Sequence, residues 1–526
     1  MKNNRNCCHN NYNHLKKIDM RKIVKTGSVK IIILTLLLTM VYNHDVFCTA
    51  MHAGVSKINI TKGNPDILVN DPLYAKALVL CDGNTRVVIV TMDIINISSS
   101  DAKVIGKRIE DEFGISRENI IINASHAHWV QNQLAEDYLE RTFTAIKKAS
   151  GNMVPVLIGA GAGSESRITM NRRIILDSDK EWTIRRATPE PRNEIIKKIA
   201  DPFDPEIGIL RIDKTDGNAL AVLYNFACHN YTGVPNRGVT AGFPGFASKI
   251  IEENAGNGAV AMFLQGFAGD ITPVLYKDVN APKQEEIHGT LLGISTLDAW
   301  RKTPVNENAR ISIIREELML PARTCVQKHL DSLEAKREEI LGFFRGEGCG
   351  ALGSGTMLNF ETFLPLYIKY MVSPQYPSDY AYRYMQEEKI GINDLEMMDS
   401  ENLSHINKYL HSIYKMEELI VTEANLAYLR NNEPVGPVKA EITGLKIGDF
   451  VLITFPGDIF AKVGLNIKQA SPYEFTFVAG YTNGSVGYAP THDAYSGDAY
   501  EVSLSRLAPE WQKIFEDKAM EIIRRL

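Results

Sequence analysis

At 526 residues, with 44% hydrophobic and 23% charged side chains, the chain has an ordinary globular composition. It is long enough for about two to four average domains, or for one large domain carrying insertions. The formal net charge is -5, with no basic cluster beyond the N-terminus, which argues against nucleic acid as the partner.

The N-terminus has the character of a targeting segment. Arg21, Lys22, Lys25 and Lys30 lead into the apolar run from Ile31 to Tyr42, which is too short for a stable membrane span. Small residues follow at Cys48-Thr-Ala50, so residues 1–50 read as a secretory signal cleaved after Ala50, with Met20 as an alternative start and an uncleaved anchor as the competing reading. The expected location is therefore secreted, periplasmic or at the cell surface. Of seven cysteines, Cys81, Cys228, Cys325 and Cys349 lie beyond Ala50. Their spacing matches neither a zinc ribbon nor a dense disulfide framework. Cys325 and Cys349 could pair across a loop, whereas Cys228, inside a strand pattern, reads as a buried thiol.

Residues 51–526 read as one α/β unit of mixed β-sheets flanked by helices. Arg86 to Asp93 is a strand ending in an acid, and Ser100 to Phe113 a helix capped by Ser98, Ser99 or Ser100. A buried strand, Ile120 to Ala124, precedes a helix near Leu134 to Ala149 and a strand from Val154 to Gly159. Ile207 to Ile212 and Leu220 to Cys228 flank Asp216-Gly217, a hairpin signal. A helix over Pro244 to Glu253 and a strand over Ala259 to Leu264 follow. Residues from about 323 to 432 are rich in Glu, Lys and Leu, with a Gly-rich break at Gly346 to Gly355, and read as a helical insertion that forms a lid or wall. Strand patterns return from Val438 to Gly457, turning at Lys446 to Asp449, then a helix after Asp458, a strand from Tyr473 to Val478 and a terminal helix from Arg506 to Leu526.

Three of the 12 histidines stand at strand ends: His126 and His128 after one apolar run, and His229 after another. A strand end is held by a rigid sheet and faces the edge where α/β proteins bind ligands. Neutral imidazole is a common zinc ligand. If the strand continued through His128, the two imidazoles would share a face; if the chain bends, their directions are open. Further polar segments follow other strands: His229-Asn-Tyr-Thr232, Gly266 to Pro273, Phe455-Pro-Gly-Asp458 and Gly480 to Tyr488. Together they offer imidazoles, a carboxylate, a hydroxyl and a phenol, the donor types of a catalytic zinc site. Arg172 and Arg173 read by default as a surface pair, or as a clamp on a substrate oxygen. Asp270 is expected to form a turn or to orient a ligand histidine.

Taken in order, these motifs resemble the neutral/alkaline, non-lysosomal ceramidase family. The resemblance starts at Ala53-Gly-Val-Ser-Lys-Ile-Asn-Ile-Thr61 and runs through His126-Ala-His128, His229, Gly269-Asp-Ile-Thr-Pro273, Phe455-Pro-Gly-Asp458, Gly480-Tyr-Thr-Asn483 and Ala499-Tyr-Glu501. It implies a zinc amidase that cleaves the N-acyl bond of ceramide or a similar lipid, with zinc-bound water as nucleophile. By motif position His126, His229, Asp458 and Tyr488 would be metal ligands. His128 would help with protons or the oxyanion, Arg172 would be an active-site arginine, Tyr500 a pocket tyrosine, and Thr272 would occupy the family's catalytic serine position. The implied partner is a lipid or other N-acyl small molecule, with peripheral membrane contact and oligomeric state left open.

The chain departs from the family pattern at several points. Asp458 stands where the family has Glu, and its shorter arm must be offset by a backbone shift. Thr272 adds a methyl group that stiffens the side chain. Trp129 to Gln133 replaces a Gly-rich stretch, the helical insertion has no family counterpart, and the family's C-terminal immunoglobulin-like domain is not expected so close to Leu526. These differences leave two alternatives open: a hydrolase of another amide or ester, and a catalytically impaired surface protein that binds a ligand or glycan.

Overall fold

Strands such as Tyr74–Cys81 and Ala219–Phe226 are apolar at most positions and buried along nearly their whole length, so both of their faces are covered. The computed structural model describes residues 50–526 except 65, 129, 185–193, 237, 275–282, 284, 324–325, 345–367, 369–388, 392–396, 432–435 and 498. An eight-stranded sheet runs in the order Val260–Gln265, Ala219–Phe226, Glu206–Lys214, Val154–Ser164, His52–Asn59, Tyr74–Cys81, Arg86–Met92 and Ile120–Ala124. Its interior pairs are antiparallel, while the outermost pair at each end is parallel. A four-stranded sheet contains Ile311–Leu320, Val438–Ile447, Phe450–Thr454 and Phe475–Ala479.

Period-two alternation sends successive residues into different cores. Leu78, Leu80, Val87 and Ile89 point between the sheets to meet Leu445, Phe450, Leu452 and Phe477. Their neighbours Val79, Val88 and Val90 point outward to Ile105, Ile109, Phe143 and Ile146. Val222, Tyr224 and Phe226 pack outward on Phe243, Ala247 and Leu292, while Val451 and Ile453 reach Trp511, Phe515 and Ile522. The order of layers is therefore helix, sheet, sheet, helix, which is the mixed α/β architecture expected from the patterns.

Element boundaries follow local chemistry. Ser98 caps the Ser99–Phe113 helix by accepting the Asp101 N–H at 3.0 Å. The Asp216-Gly217 hairpin forms, with Gly217 at φ 85°. Some expectations are corrected. The helix placed near Leu134 begins at Tyr138, after a short 3₁₀ turn at Gln131–Gln133. The Ala219–Phe226 strand stops before Cys228 and His229, which lie on the loop beyond it. The terminal helix starts at Trp511 rather than Arg506, just past Pro509. Helix Glu285–Lys302 and strand Ile311–Leu320 went unrecognised; the helix is apolar on more than one side, so its periodicity is weak. Within the segment read as an insertion, Val326–Phe343 and Ser400–Asn431 are helices. The stretch to Thr49 that was read as a targeting segment, the Gly346 to Gly355 break, Trp129, Cys325 and Cys349 fall outside the described residues. Cys228 is a buried free thiol, as read.

Candidate active site

The two parallel ends of the large sheet are brought together by one asparagine. The Gln265 N–H donates to Asn123 Oδ1 at 2.9 Å, and Asn123 Nδ2 donates to the Gly480 carbonyl at 2.7 Å and to Thr482 Oγ1 at 2.9 Å. The Gly480 N–H returns to the Gln265 carbonyl at 3.1 Å. The strands that lead to His126, His229, Thr272 and Tyr481 therefore open side by side.

His126 does not continue its strand. Its φ of 57° lies in the left-handed region, uncommon for a residue with a side chain. Its chain neighbours hold it there: the Ser125 N–H donates to Met92 O at 2.9 Å and the Ala127 N–H to Ile94 O at 3.1 Å. Tyr481, whose ring lies on His126, has φ 52°, and Asn483, two residues on and hydrogen-bonded to Ile120 and Ile122, has φ 57°, so left-handed residues gather around this site. The bend, rather than strand alternation, brings His126 and His128 together.

Among the described residues, His126, His128 and His229 form the one group of nitrogen and carboxylate ligands whose atoms lie within 4.8 Å of one another. His126 Nδ1 donates to the Ile95 carbonyl at 2.9 Å, and His229 Nδ1 to the Ala268 carbonyl at 2.7 Å. Because a carbonyl can only accept, these contacts assign the proton to Nδ1 and leave a lone pair on each Nε2. Those two Nε2 atoms are 3.1 Å apart, and His128 Nε2 is 3.0 Å from His126 Nε2. Burial, with Arg172 nearby, holds both inner imidazoles well below the usual value, so they are neutral. Two neutral lone pairs facing each other repel unless a cation sits between them. Nitrogens bound to one tetrahedral zinc stand about 3.3 Å apart, so the donor set fits a zinc ion.

Asp458 and Tyr488 pair across a short parallel bridge. They stand outside the tight imidazole group and join it through two other side chains. Tyr481 packs its ring on His126 at 3.9 Å and directs its hydroxyl at the Asp458 carboxyl without closing a hydrogen bond of ordinary geometry. Arg172 donates to the Tyr488 hydroxyl at 3.2 Å. Burial lifts the Asp458 carboxyl to about 7, with Arg172 opposing the rise.

Arg172 and Arg173 are buried, correcting their reading as a surface pair. Arg172 Nε donates to Glu501 at 2.6 Å and Nη2 to the Gly269 carbonyl at 2.7 Å. Arg173 is paired with Glu181 and Asp201 at 2.5 Å each. Asp270 orients no histidine: it accepts from Asn171 Nδ2 and from the Ala461 N–H, both at 2.8 Å, fastening the Ala461–Ala470 helix. Asp270 thus lies in a turn, the first of its two expected readings, and the alternative of orienting a histidine falls to the Ala268 carbonyl. Tyr500 sets its ring edge against Tyr488 at 5.7 Å. Both tyrosines pack with Leu330, Leu333, Leu426 and Leu429, so the helices Val326–Phe343 and Ser400–Asn431 wall the site. Thr272 is fully buried, with Oγ1 2.5 Å from the Tyr231 hydroxyl.

Sequence reasoning passed over Tyr231, Tyr481 and Glu501 as site residues, although each lies in a segment already marked as polar or motif-bearing. It also passed over Glu285. That buried carboxyl group accepts the Gly233 N–H at 2.9 Å and the Phe243 N–H at 2.6 Å, bracing the loop after His229.

Comparison with known proteins gives the family and the fold. The family described as neutral/alkaline non-lysosomal ceramidase, N-terminal, matches residues 69–332, half of the chain. The structure of neutral ceramidase from Pseudomonas aeruginosa superimposes with a TM-score of 0.57 at 16% identity, covering 91% of this chain and 75% of that one. A ceramidase complexed with C2 gives 0.56 at 16% identity, covering 91% and 76%. With a family match across half its length and the same fold over most of the rest, this chain belongs to the neutral/alkaline non-lysosomal ceramidase family.

Proposed function

We propose that the protein is a secreted zinc-dependent hydrolase that cleaves the amide bond of ceramide or a similar N-acyl lipid. The observation that carries this reading is the pair of facing Nε2 lone pairs on His126 and His229, each fixed by a backbone carbonyl, in a chain of the ceramidase family. His126 and His229 would hold the ion, with Asp458 and Tyr488 completing the set. Zinc, when bound, lowers the pKa of a coordinated water and polarises a carbonyl.

The remaining chemistry falls to the chain's own groups. His128 is the exposed imidazole of the three, so it is the one placed to exchange protons with substrate and solvent. Arg172 keeps its charge in a buried site through Glu501 and holds the Tyr488 hydroxyl in place. Tyr488 and Tyr500, backed by leucines of the inserted helices, offer an apolar wall to an acyl chain. Signal cleavage after Ala50 and peripheral contact with a membrane belong to the same proposal. No described helix is long and apolar enough to cross a membrane.

The test is metal analysis together with turnover. Purified protein should carry about one zinc per chain, and fluorescent N-acyl-sphingosine should release fatty acid in wild type but not in His126→Ala. A second reading, a ligand- or glycan-binding protein with impaired catalysis, draws on the buried Thr272 hydroxyl and the short Asp458 arm. Zinc retained without turnover on any N-acyl or ester substrate would favour it.

A further inference from the structure

We infer that Tyr231 is a positioning residue of this site and that Thr272 acts through it, not as a nucleophile. The inference rests on the hydrolase reading above and adds to it a residue on the loop that follows His229.

Thr272 lies in the short strand Ile271–Pro273, paired with Met170, and its side chain is fully buried. Among the described residues its hydroxyl has one hydrogen-bond partner, the Tyr231 phenol at 2.5 Å. A nucleophilic hydroxyl needs an adjacent base to take its proton and open space for the carbonyl it attacks. Among the described residues Thr272 has neither: no imidazole or carboxylate hydrogen-bonds to it, and its hydroxyl is buried against the phenol.

The phenol also bonds to the Arg172 guanidinium. Arginine has no acceptor, so Arg172 donates to the phenol oxygen. The phenol proton is then free to go to Thr272 Oγ1, which makes a directed chain from Arg172 through Tyr231 to Thr272. The Tyr231 ring presents its edge to His229 at 4.8 Å and 65° and to His128 at 5.6 Å and 80°. A ring pinned at its hydroxyl and pressed on two imidazoles fixes their tilt. Without the pin at Thr272 or Arg172, the ring is free to rotate and the imidazoles lose one wall.

The test is a double-mutant cycle on the zinc-loaded protein, using Tyr231→Phe, Thr272→Val and the double variant, with Thr272→Ser as the conservative control. If both hydroxyls serve one hydrogen bond, each single variant lowers kcat about tenfold and leaves KM within about twofold. The double variant then falls no further than the singles, and Thr272→Ser keeps near wild-type kcat. Zinc affinity, read by competition with a chelator, should weaken several-fold in both single variants. Multiplicative losses in the double variant would overturn the inference. So would a loss beyond about a thousandfold in Thr272→Val with Tyr231→Phe unchanged, the pattern of a direct nucleophile. A wild type that holds zinc but hydrolyses nothing leaves the affinity measurement decisive, and unchanged affinity then overturns it. A wild type that neither holds zinc nor hydrolyses any N-acyl substrate removes the parent reading and this inference with it.

Discussion

Glu285 provides the sharpest test of how the loop carrying Tyr231 is held. Burial lifts its carboxyl from 4.5 to about 7, although the N–H groups of Gly233, Phe243 and Thr232 oppose the rise. The folded chain therefore keeps a proton that the unfolded chain loses between those values. Stability from this group is complete below about pH 4.5 and is lost as pH rises through about 7. The two values together correspond to about 3 kcal/mol. Glutamine cannot titrate, so Glu285→Gln removes the dependence and leaves the rest of the protein's titration in place. The assay is urea unfolding of both proteins at a series of pH values from about 4.5 to 8, in excess chelator so that metal uptake adds no pH dependence of its own. Wild-type stability minus variant stability should fall by about 3 kcal/mol across that range and level off at its upper end. A difference that stays flat, or that climbs with pH, refutes the claim that Glu285 is held protonated by burial.

Other outcomes follow from the same contacts. Glu501→Gln leaves the buried Arg172 charge without its partner and should cost about 3–5 kcal/mol in chemical denaturation, whereas Arg172→Met with Glu501→Leu should cost less than the two single changes added together. Gly269→Ala should destabilise by about 3 kcal/mol and lower zinc content, because a Cβ there would stand 2.3 Å from the Asp458 carbonyl and 2.9 Å from that of Ile459, both backbone atoms; calorimetry and metal analysis of the variant check both. Chelation should lower the melting temperature of wild type, with about 4 kcal/mol separating the loaded and stripped forms when free zinc is about a thousand times Kd, while His229→Ala should melt at the same temperature with or without chelator.

The strand-end histidines could be read before any coordinates because they join two local signals: an apolar run that fixes a strand, and a residue type whose chemistry suits a metal. That the sheets would be flanked by helices was equally local in origin, since a strand such as Ala219–Phe226, apolar at nearly every position and buried at all of them, requires cover on both faces. The hairpin at Gly217 and the cap at Ser98 depend on residues within a few positions of one another, and both were visible for that reason.

Tertiary structure decided everything that depends on distance along the chain. Arg172 looked like a surface residue because its counter-ion, Glu501, is 329 positions away, and only the fold brings them to 2.6 Å. Tyr231 could not be ranked above other tyrosines until Thr272, 41 positions on, was found against its hydroxyl. His126 and His128 face one another because the backbone bends at a left-handed residue, a conformation imposed by hydrogen bonds to Met92 and Ile94 from a neighbouring part of the sheet. Sequence determines which chemistry each segment can offer, since side-chain type and period are local. Which groups meet, and which lone pairs are left facing a shared point, is set by sheet closure and long-range packing, and these enter the free energy only once the chain has folded.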